Sequence, residues 1–274
     1  MKLAWVYIVV FIFLMEEAFS DEEKHPGEHN AEVYIVAVGA KPSRRYADDA
    51  RYDSPIMLLP ESGTVPPARL FYKTTSIEGE AQWEVLNIPF NSAPLVKTLP
   101  AGKSLRLYQK LSGEYEFYMT LPKQSEGKQS LLVLTPSKKG KGLSSENKPW
   151  DESPEIHQLN FDRFDQSDDG VFLKNISSVI VETVIGDQAF KMKPGDFSHQ
   201  FYKSKSNFIS LSASYLETRS KQLICKTTIS VYQQERQLLL VYYDANTETN
   251  AGKKVGIHRL LIPKYRRSGL APSE

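Results

Sequence analysis

The chain of 274 residues carries 34 lysines and arginines against 33 aspartates and glutamates, a formal net charge of +1. Apolar residues make up 41% and charged residues 24%, which is typical of folded globular proteins and excludes wholesale disorder. Because the charges nearly cancel, no global field attracts nucleic acid or an anionic membrane, and we expect no nucleic-acid partner. The single cysteine, Cys225, excludes an intrachain disulfide.

An apolar segment lies near the N-terminus. Residues 3–15 form an unbroken apolar run, about 20 Å long as a helix and too short for a hydrocarbon core of about 30 Å. With Ala18-Phe19-Ser20 behind it, the run predicts a signal peptide over residues 1–20 and export to the periplasm or the exterior. An uncleaved anchor is the alternative. Residues 21–30 are polar and predict a disordered spacer, and we expect no membrane span after the leader is removed.

Short alternating segments recur through residues 31–137 and predict a first β-sandwich. In one of them, alternation predicts that Tyr115, Phe117, Met119 and Leu121 share a face. Prolines fall at the strand ends, where a missing N–H costs no ladder hydrogen bond. The predicted strands cover residues 31–38, 55–59, 68–75, 82–89, 95–99, 104–111, 114–121 and 129–135.

The segment 41–54 is a charged cluster in which arginines and aspartates surround Tyr46 and Tyr52. We predict a salt-bridged connecting loop. One functional alternative is a glycan contact through the two tyrosines. Another is a calcium site, but the aspartates do not have the spacing of a calcium loop.

Residues 138–149 are rich in lysine, glycine and serine. They predict a linker to a second β-sandwich at residues 150–265, which is followed by a tail at residues 266–274. Trp150 is predicted to dock the second domain. The loop after residue 161 is acidic, and we predict a solvated turn with a structural cation site as the alternative, since calcium prefers oxygen ligands. The candidate metal ligands there are Asp162, Asp165, Asp168 and Asp169.

Residues 170–215 give the clearest strand signals of the chain. Turn residues at 175–177, 186–187, 194–196 and 203–206 separate five short strands. The Asn175-Ile176-Ser177 sequence is formally a glycosylation acceptor, and we predict instead that Asn175 and Ser177 cap a turn.

Two echoes between the halves suggest related domains. Pro100 and Tyr108 match Pro194 and Tyr202 at equal spacing, and the apolar run 131–134 matches the run 238–241.

The sequence contains no serine-hydrolase elbow, zinc-protease motif, phosphate-binding loop, dinucleotide fingerprint or C-x-x-C pair. His157, His199 and His258 have no recognisable catalytic partners, and we predict that His199 is a packing residue. Cys225 shares a predicted strand face with apolar residues such as Leu223, which predicts a buried small side chain. We therefore expect no cofactor and no enzymatic activity. A carboxylate pair of the glycosidase kind is the alternative, because such pairing is spatial.

From residue 155 onward the features follow a specific order: a strand, an acidic loop, G-x-F-x-x-N-I-S, an apolar strand, G-D, K-x-K-P-G-D and Q-F-Y. This layout resembles functionally uncharacterised exported proteins of bacteria such as verrucomicrobia and planctomycetes. The resemblance implies paired immunoglobulin-like sandwiches and export, and it brings no activity and no functional residue.

The fold expected is all-β, with two tandem immunoglobulin-like antiparallel β-sandwiches. The expected function is non-catalytic binding or scaffolding at the cell envelope, with an envelope protein or a glycan as partner. The alternatives are a glycan-binding module that uses exposed aromatic side chains and an envelope hydrolase whose carboxylates the sequence does not pair. The candidate ligand-binding residues are Tyr46, Tyr52, Trp83 and Trp150.

Overall fold

The computed structural model describes residues 30–42, 46–47, 56–75, 80–137, 148–161, 170–200, 208–217, 220–231, 236–243 and 255–262. The strands of this part of the chain are β1 (Asn30–Ala37), β2 (Tyr46–Ala47), β3 (Ile56–Met57), β4 (Arg69–Thr75), β5 (Ala81–Asn87), β6 (Leu95–Pro100), β7 (Leu105–Leu111), β8 (Glu114–Leu121), β9 (Gln129–Thr135), β10 (Glu155–Asn160), β11 (Gly170–Asn175), β12 (Val181–Ile185), β13 (Gln188–Met192), β14 (Phe197–Gln200), β15 (Phe208–Glu217), β16 (Ser220–Ser230), β17 (Arg236–Tyr243) and β18 (Val255–Ile262). The prediction of an all-β fold with two sandwich domains is confirmed.

Four four-stranded sheets make up the described fold. In the first half, outer sheet 1 has the order β5-β4-β7-β8 and middle sheet 1 the order β10-β9-β1-β6. In the second half, middle sheet 2 has the order β14-β11-β17-β18 and outer sheet 2 the order β13-β12-β15-β16. The short strands β2 and β3 pair separately.

The cores show that the four sheets are stacked as layers. On β9, Leu132 and Leu134 pack against outer sheet 1, whereas Leu131 and Val133 face the other way. The latter side joins a cluster that includes Leu238 and Leu240 of middle sheet 2. Two further clusters lie between middle sheet 2 and outer sheet 2. Both middle sheets are therefore buried on both faces, which explains the continuous apolar runs of β9 and β17.

The two halves have the same topology. In each half the first strand pairs in parallel with a late strand, β1 with β9 and β11 with β17, over six residue pairs. The sheet orders match when β1 and β4–β10 are laid on β11–β18 in sequence. In this superposition the runs 131–134 and 238–241 occupy the same register positions. The echo of Pro100 and Tyr108 in Pro194 and Tyr202 does not hold, because Pro100 ends β6 whereas Pro194 precedes β14, the strand equivalent to β6.

A further repeat links the last strands of the two halves. His157 pairs with Val133 of β9, and His258 pairs with Leu240 of β17, the equivalent position. The sequences Ile-His-Gln-Leu at 156–159 and Ile-His-Arg-Leu at 257–260 are thus structurally matched.

The place of β10 differs from the domain division expected from sequence. That division assigns residues 150–265 to the second sandwich, yet β10 is hydrogen-bonded to β9 in middle sheet 1. Trp150 is only 2% exposed and lies in the core of the first half, with its ring edge-on to Phe90 at 6.0 Å. It does not dock the second domain. The boundary between the two halves therefore lies between Phe161, which follows β10, and Gly170, which begins β11.

Equivalent β-bulges break the alternation of the edge strands β8 and β16. The pairing of β7 with β8 skips Tyr118, and that of β15 with β16 skips Ile224. Both skipped side chains are buried. Alternation had placed Phe117 with Met119 and Leu223 with Cys225, and both expectations are wrong, because the extra residue reverses the face. Phe117 and Leu223 are exposed, Met119 is buried, and Cys225 is half-buried against the second-half cores.

The described turns behave as predicted, and the predicted turn at residues 203–206 lies outside the described residues. Asn175 is fully buried, and its side-chain amide donates hydrogen bonds to the carbonyl oxygens of Val179 (2.8 Å) and Met192 (3.2 Å). Its Oδ1 accepts hydrogen bonds from the backbone N–H of Ser177 (3.0 Å) and from its hydroxyl (2.6 Å). Asn175 is therefore a turn cap, and its burial leaves no room for a glycan. The Gly186-Asp187 hairpin is also confirmed, with Gly186 at a φ of 62°.

Candidate functional site

The solvent-facing side of outer sheet 1 is the most distinctive surface of the described chain. Alternate residues of its four strands face the core, as Leu70 and Leu107 do, and the residues between them face outward. We define the aromatic face as the twelve outward positions Arg69, Phe71, Lys73, Trp83, Val85, Asn87, Arg106, Tyr108, Lys110, Tyr115, Phe117 and Thr120. The bulge at Tyr118 keeps Tyr115 and Phe117 on this side.

Five aromatic rings pack on one another across this face. Trp83 on one edge strand stacks on Tyr115 of the other, with 3.9 Å between ring centroids and 10° between planes. Tyr108 stands edge-on to Trp83, and Phe71 edge-on to Tyr115, each at 5.2 Å. Phe117 lies 6.1 Å from Tyr108 and is 49% exposed. The cluster is half-buried, so it stabilises the sheet and still presents apolar surface to solvent.

Cations surround the rings. The Lys73 ammonium lies 5.1 Å from the centroid of Trp83, and that of Lys110 lies 5.4 Å from Tyr115. The Arg106 guanidinium lies 4.9 Å from the centroid of Phe117. At these distances the negative face of each ring attracts the cation and holds it at the face.

Strand pairing groups these cations two by two. The central strands β4 and β7 are antiparallel and pair at Phe71 and Tyr108. Arg69 and Lys110 therefore lie on one side of this pair, and Lys73 and Arg106 lie on the other. A pair of aromatic residues is thus flanked by two pairs of like charges.

None of the twelve positions of the aromatic face holds a carboxylate. The acids Glu84, Glu114 and Glu116 occupy alternate positions of the same strands. Glu84 accepts a hydrogen bond from the Tyr72 hydroxyl (2.6 Å) and one from Lys97 (3.2 Å). The tyrosine hydrogen bond, more than the lysine, lowers the pKa of Glu84. The described part of this face is consequently cationic, although the whole chain is nearly neutral.

A cavity of about 510 Å³ opens at one end of the aromatic face, with Arg69, Phe71 and Lys110 among its lining residues. Its other wall includes Gly63 and Asp151. Gly63 has a φ of 78°, and a Cβ there would lie 1.8 Å from the Asp151 carboxylate, so the wall requires glycine.

The predicted ligand residues are separated by the structure. Trp83 is central to the aromatic face. Trp150 is buried beneath it and offers no exposed ring. Its backbone oxygen accepts a hydrogen bond from the Tyr118 hydroxyl (3.2 Å) within the core. Tyr46 is 56% exposed on β2, which is not a strand of outer sheet 1. Tyr52 and the candidate metal ligands Asp162, Asp165, Asp168 and Asp169 lie outside the described residues.

Sequence reasoning missed most of the aromatic face. Its signal is an aromatic or cationic side chain at every second position, as in Phe71-x-Lys73 and Arg106-x-Tyr108-x-Lys110. The pairing of β4 with β7, which brings these segments together, has no local signature.

The histidines do not form a catalytic arrangement in the described residues. His199 stacks on Phe172 with centroids 4.1 Å apart, as expected of a packing residue. His157 Nε2 lies 3.0 Å from the Thr135 hydroxyl. Burial, with a smaller effect from Lys41, lowers the pKa of His258. Within the described ranges, no three histidine, cysteine or acidic side chains come together as a metal site would need.

Comparison of the chain with protein-family models and with curated protein sequences gives no match in either case. Among the described residues, no helix has the length and apolarity needed to cross a membrane.

Proposed function

We propose that this is an exported, non-catalytic protein of the cell envelope that binds glycan on the aromatic face. The observation that carries the proposal is the collection of five aromatic side chains on a solvent-facing sheet. Large contiguous apolar patches on soluble proteins often mark binding sites. Pyranose rings present apolar C–H surfaces that pack on aromatic side chains, while the hydroxyl groups around them suit the polar side chains of the rim.

The same face favours binding over hydrolysis. Glycoside hydrolysis uses a pair of carboxyl groups on either side of the scissile bond. The twelve positions of the aromatic face contain none, and the adjoining cavity has only one carboxylate, that of Asp151, among its described lining residues, so a glycan held there would not meet a carboxyl pair. Export is supported by the predicted signal peptide over residues 1–20.

The proposal is tested with protein from residue 21 onward and a panel of soluble neutral and acidic polysaccharides, by affinity electrophoresis and calorimetry. We expect Phe117→Ala and Trp83→Ala to weaken binding at least tenfold, because both remove ring surface from the face. The matched control is Leu216→Ala, which removes a side chain that is 67% exposed on outer sheet 2. Far-UV circular dichroism checks that each variant is folded.

Two results would overturn the proposal. One is wild-type protein that binds no polysaccharide of the panel. The other is binding that Phe117→Ala and Leu216→Ala reduce equally, since the aromatic face would then not be the site.

A further inference from the structure

The charges of the aromatic face also restrict the charge of the ligand that can bind there. Four of the twelve positions are Arg69, Lys73, Arg106 and Lys110, and all four side chains are exposed. Like charges on neighbouring strands of a sheet repel each other. The antiparallel pairing of β4 with β7 groups Arg69 with Lys110 and Lys73 with Arg106, on the two sides of the pair Phe71–Tyr108. An arrangement that costs folding stability and gathers one sign of charge at a surface points to a ligand of the opposite sign.

The equivalent surface of the second half is built differently. On outer sheet 2, Glu182 and Lys221 form an ion pair of 2.6 Å, and serines occupy the central strand. A cavity of about 550 Å³ on that sheet is lined by residues of both charges and by Ser212 and Ser214. Outer sheet 2 also carries exposed lysines, Lys191, Lys221 and Lys226, but there the carboxylate of Glu182 lies among them. The combination of four cations with no carboxylate is therefore a feature of the aromatic face and not of outer sheet 2.

The rings also fix where the cations are. Lys73, Arg106 and Lys110 each lie over an aromatic ring at the distances given above, which restricts the freedom of long side chains before any ligand arrives. Positioning of this kind lowers the conformational-entropy cost of ordering these side chains on binding. Arg69 and Lys110 also line the cavity at the end of the face, across from the carboxylate of Asp151, so a negative group bound there has to lie on the side of the two cations.

We propose that the ligand of the aromatic face is an acidic polysaccharide, a glycan that carries carboxylate or sulfate groups. Its sugar rings lie on the central aromatic side chains, and its anionic groups contact the pair Arg69 and Lys110 at one end and the pair Lys73 and Arg106 at the other. These pairs are four residues apart along β4, about 13 Å at the rise of a strand. This inference rests on the proposed function and names the chemical class of its ligand.

Nucleic acid is the other polyanion that such a surface suggests, and the ring geometry argues against it. Single-stranded nucleic acid binds through bases that stack on free ring faces. On the aromatic face the rings are already packed on one another, with Trp83 against Tyr115 at 3.9 Å. Bases need free ring faces, whereas a glycan also binds through hydroxyl groups that hydrogen-bond to the polar side chains around the rings.

The test compares ligands that differ only in charge. Polygalacturonate is measured against its methyl ester, and dextran sulfate against dextran, with single-stranded DNA as a further probe. We expect wild-type protein to bind each acidic polymer at least tenfold more tightly than its neutral counterpart. The double variant Lys73→Gln, Arg106→Gln should lose at least tenfold in affinity for the acidic polymers alone. Lys191→Gln with Lys226→Gln makes the same change of charge on outer sheet 2 and should leave binding unchanged.

Each alternative outcome is distinct. Equal affinity for the acidic and neutral polymers overturns the acidic ligand and leaves glycan binding in place. Equal losses in the two double variants show unspecific attraction and overturn the site. DNA binding as tight as that of the acidic polymers, and weakened by Phe117→Ala, assigns the face to nucleic acid instead. Failure to bind any polymer overturns the proposed function itself.

Discussion

Because the two middle sheets share a core, a destabilising substitution in the second half should also lower the stability of the first half. The perturbation is Leu239→Ala on β17. Leu239 is fully buried and packs in the cluster between middle sheet 2 and outer sheet 2, away from the first half. Truncation of a buried leucine to alanine costs about 2–5 kcal/mol, since it removes apolar contacts and leaves a cavity.

Tryptophan fluorescence reports the unfolding of the first half. The sequence has three, and Trp5 lies in the predicted leader. Protein from residue 21 onward therefore reports through Trp83 and Trp150, both in the first half. With a loss of about 3 kcal/mol and a urea m-value of about 3 kcal/mol/M, the midpoint seen by tryptophan fluorescence should fall by about 1 M.

The coupling between the halves depends on the cluster between the middle sheets, in which residues such as Val133 and Leu240 meet. The control is Leu216→Ala, whose side chain is exposed, and it should leave the midpoint unchanged. A fluorescence transition that stays at the wild-type midpoint in Leu239→Ala, while circular dichroism shows an earlier separate transition, would refute the coupling. The two sandwiches would then unfold independently.

Three further predictions concern stability and are measured by urea denaturation. Asn175→Ala should cost about 3 kcal/mol, because the buried carbonyl oxygens of Val179 and Met192 lose their donor; an unchanged midpoint would contradict the cap. Gly256→Ala should cost about 1–3 kcal/mol, since a Cβ there would lie 2.5 Å from the buried ring of Tyr242; a neutral result would show that the ring can move. Burial lowers the pKa of His258 in the folded state below its ordinary 6.5, so the unfolded chain binds the proton first and stability should fall as the pH drops below about 6.5. His258→Gln should flatten this dependence, and an equally steep profile in the variant would assign it to other groups.

Alternation along the sequence predicted the strands well, and it failed where a bulge adds a residue. Most predicted strands match the observed ones to within one or two residues, and the strand at 114–121 matches β8 (Glu114–Leu121). The bulge at Tyr118 then reverses the face for everything beyond it. A bulge depends on pairing with a neighbouring strand, so the pattern of one segment cannot reveal it. The same failure recurs at Ile224 in the equivalent strand.

The candidate site was less predictable than the fold. Trp83 was identified as a ligand residue because it is aromatic, but the same reasoning selected Trp150, which is buried. The difference between them lies in tertiary packing. The pairing of Phe71 with Tyr108, distant in sequence, assembles the aromatic face. The sequence signal for the aromatic face is the repetition of aromatic and cationic residues at every second position. That pattern indicates a common surface only once the strands are known to be neighbours.

The stacking of four sheets separates the two solvent-facing surfaces of the molecule from its shared core. With sheets about 10 Å apart, the two outer surfaces lie about 30 Å from each other and point in opposite directions. The middle sheets are closed on both sides, so a change of ligand has to be made on the outside, where substitutions leave the shared core intact. The two outer surfaces also share no strand. Substitutions on one outer surface can therefore change what it contacts without altering the strands that form the other.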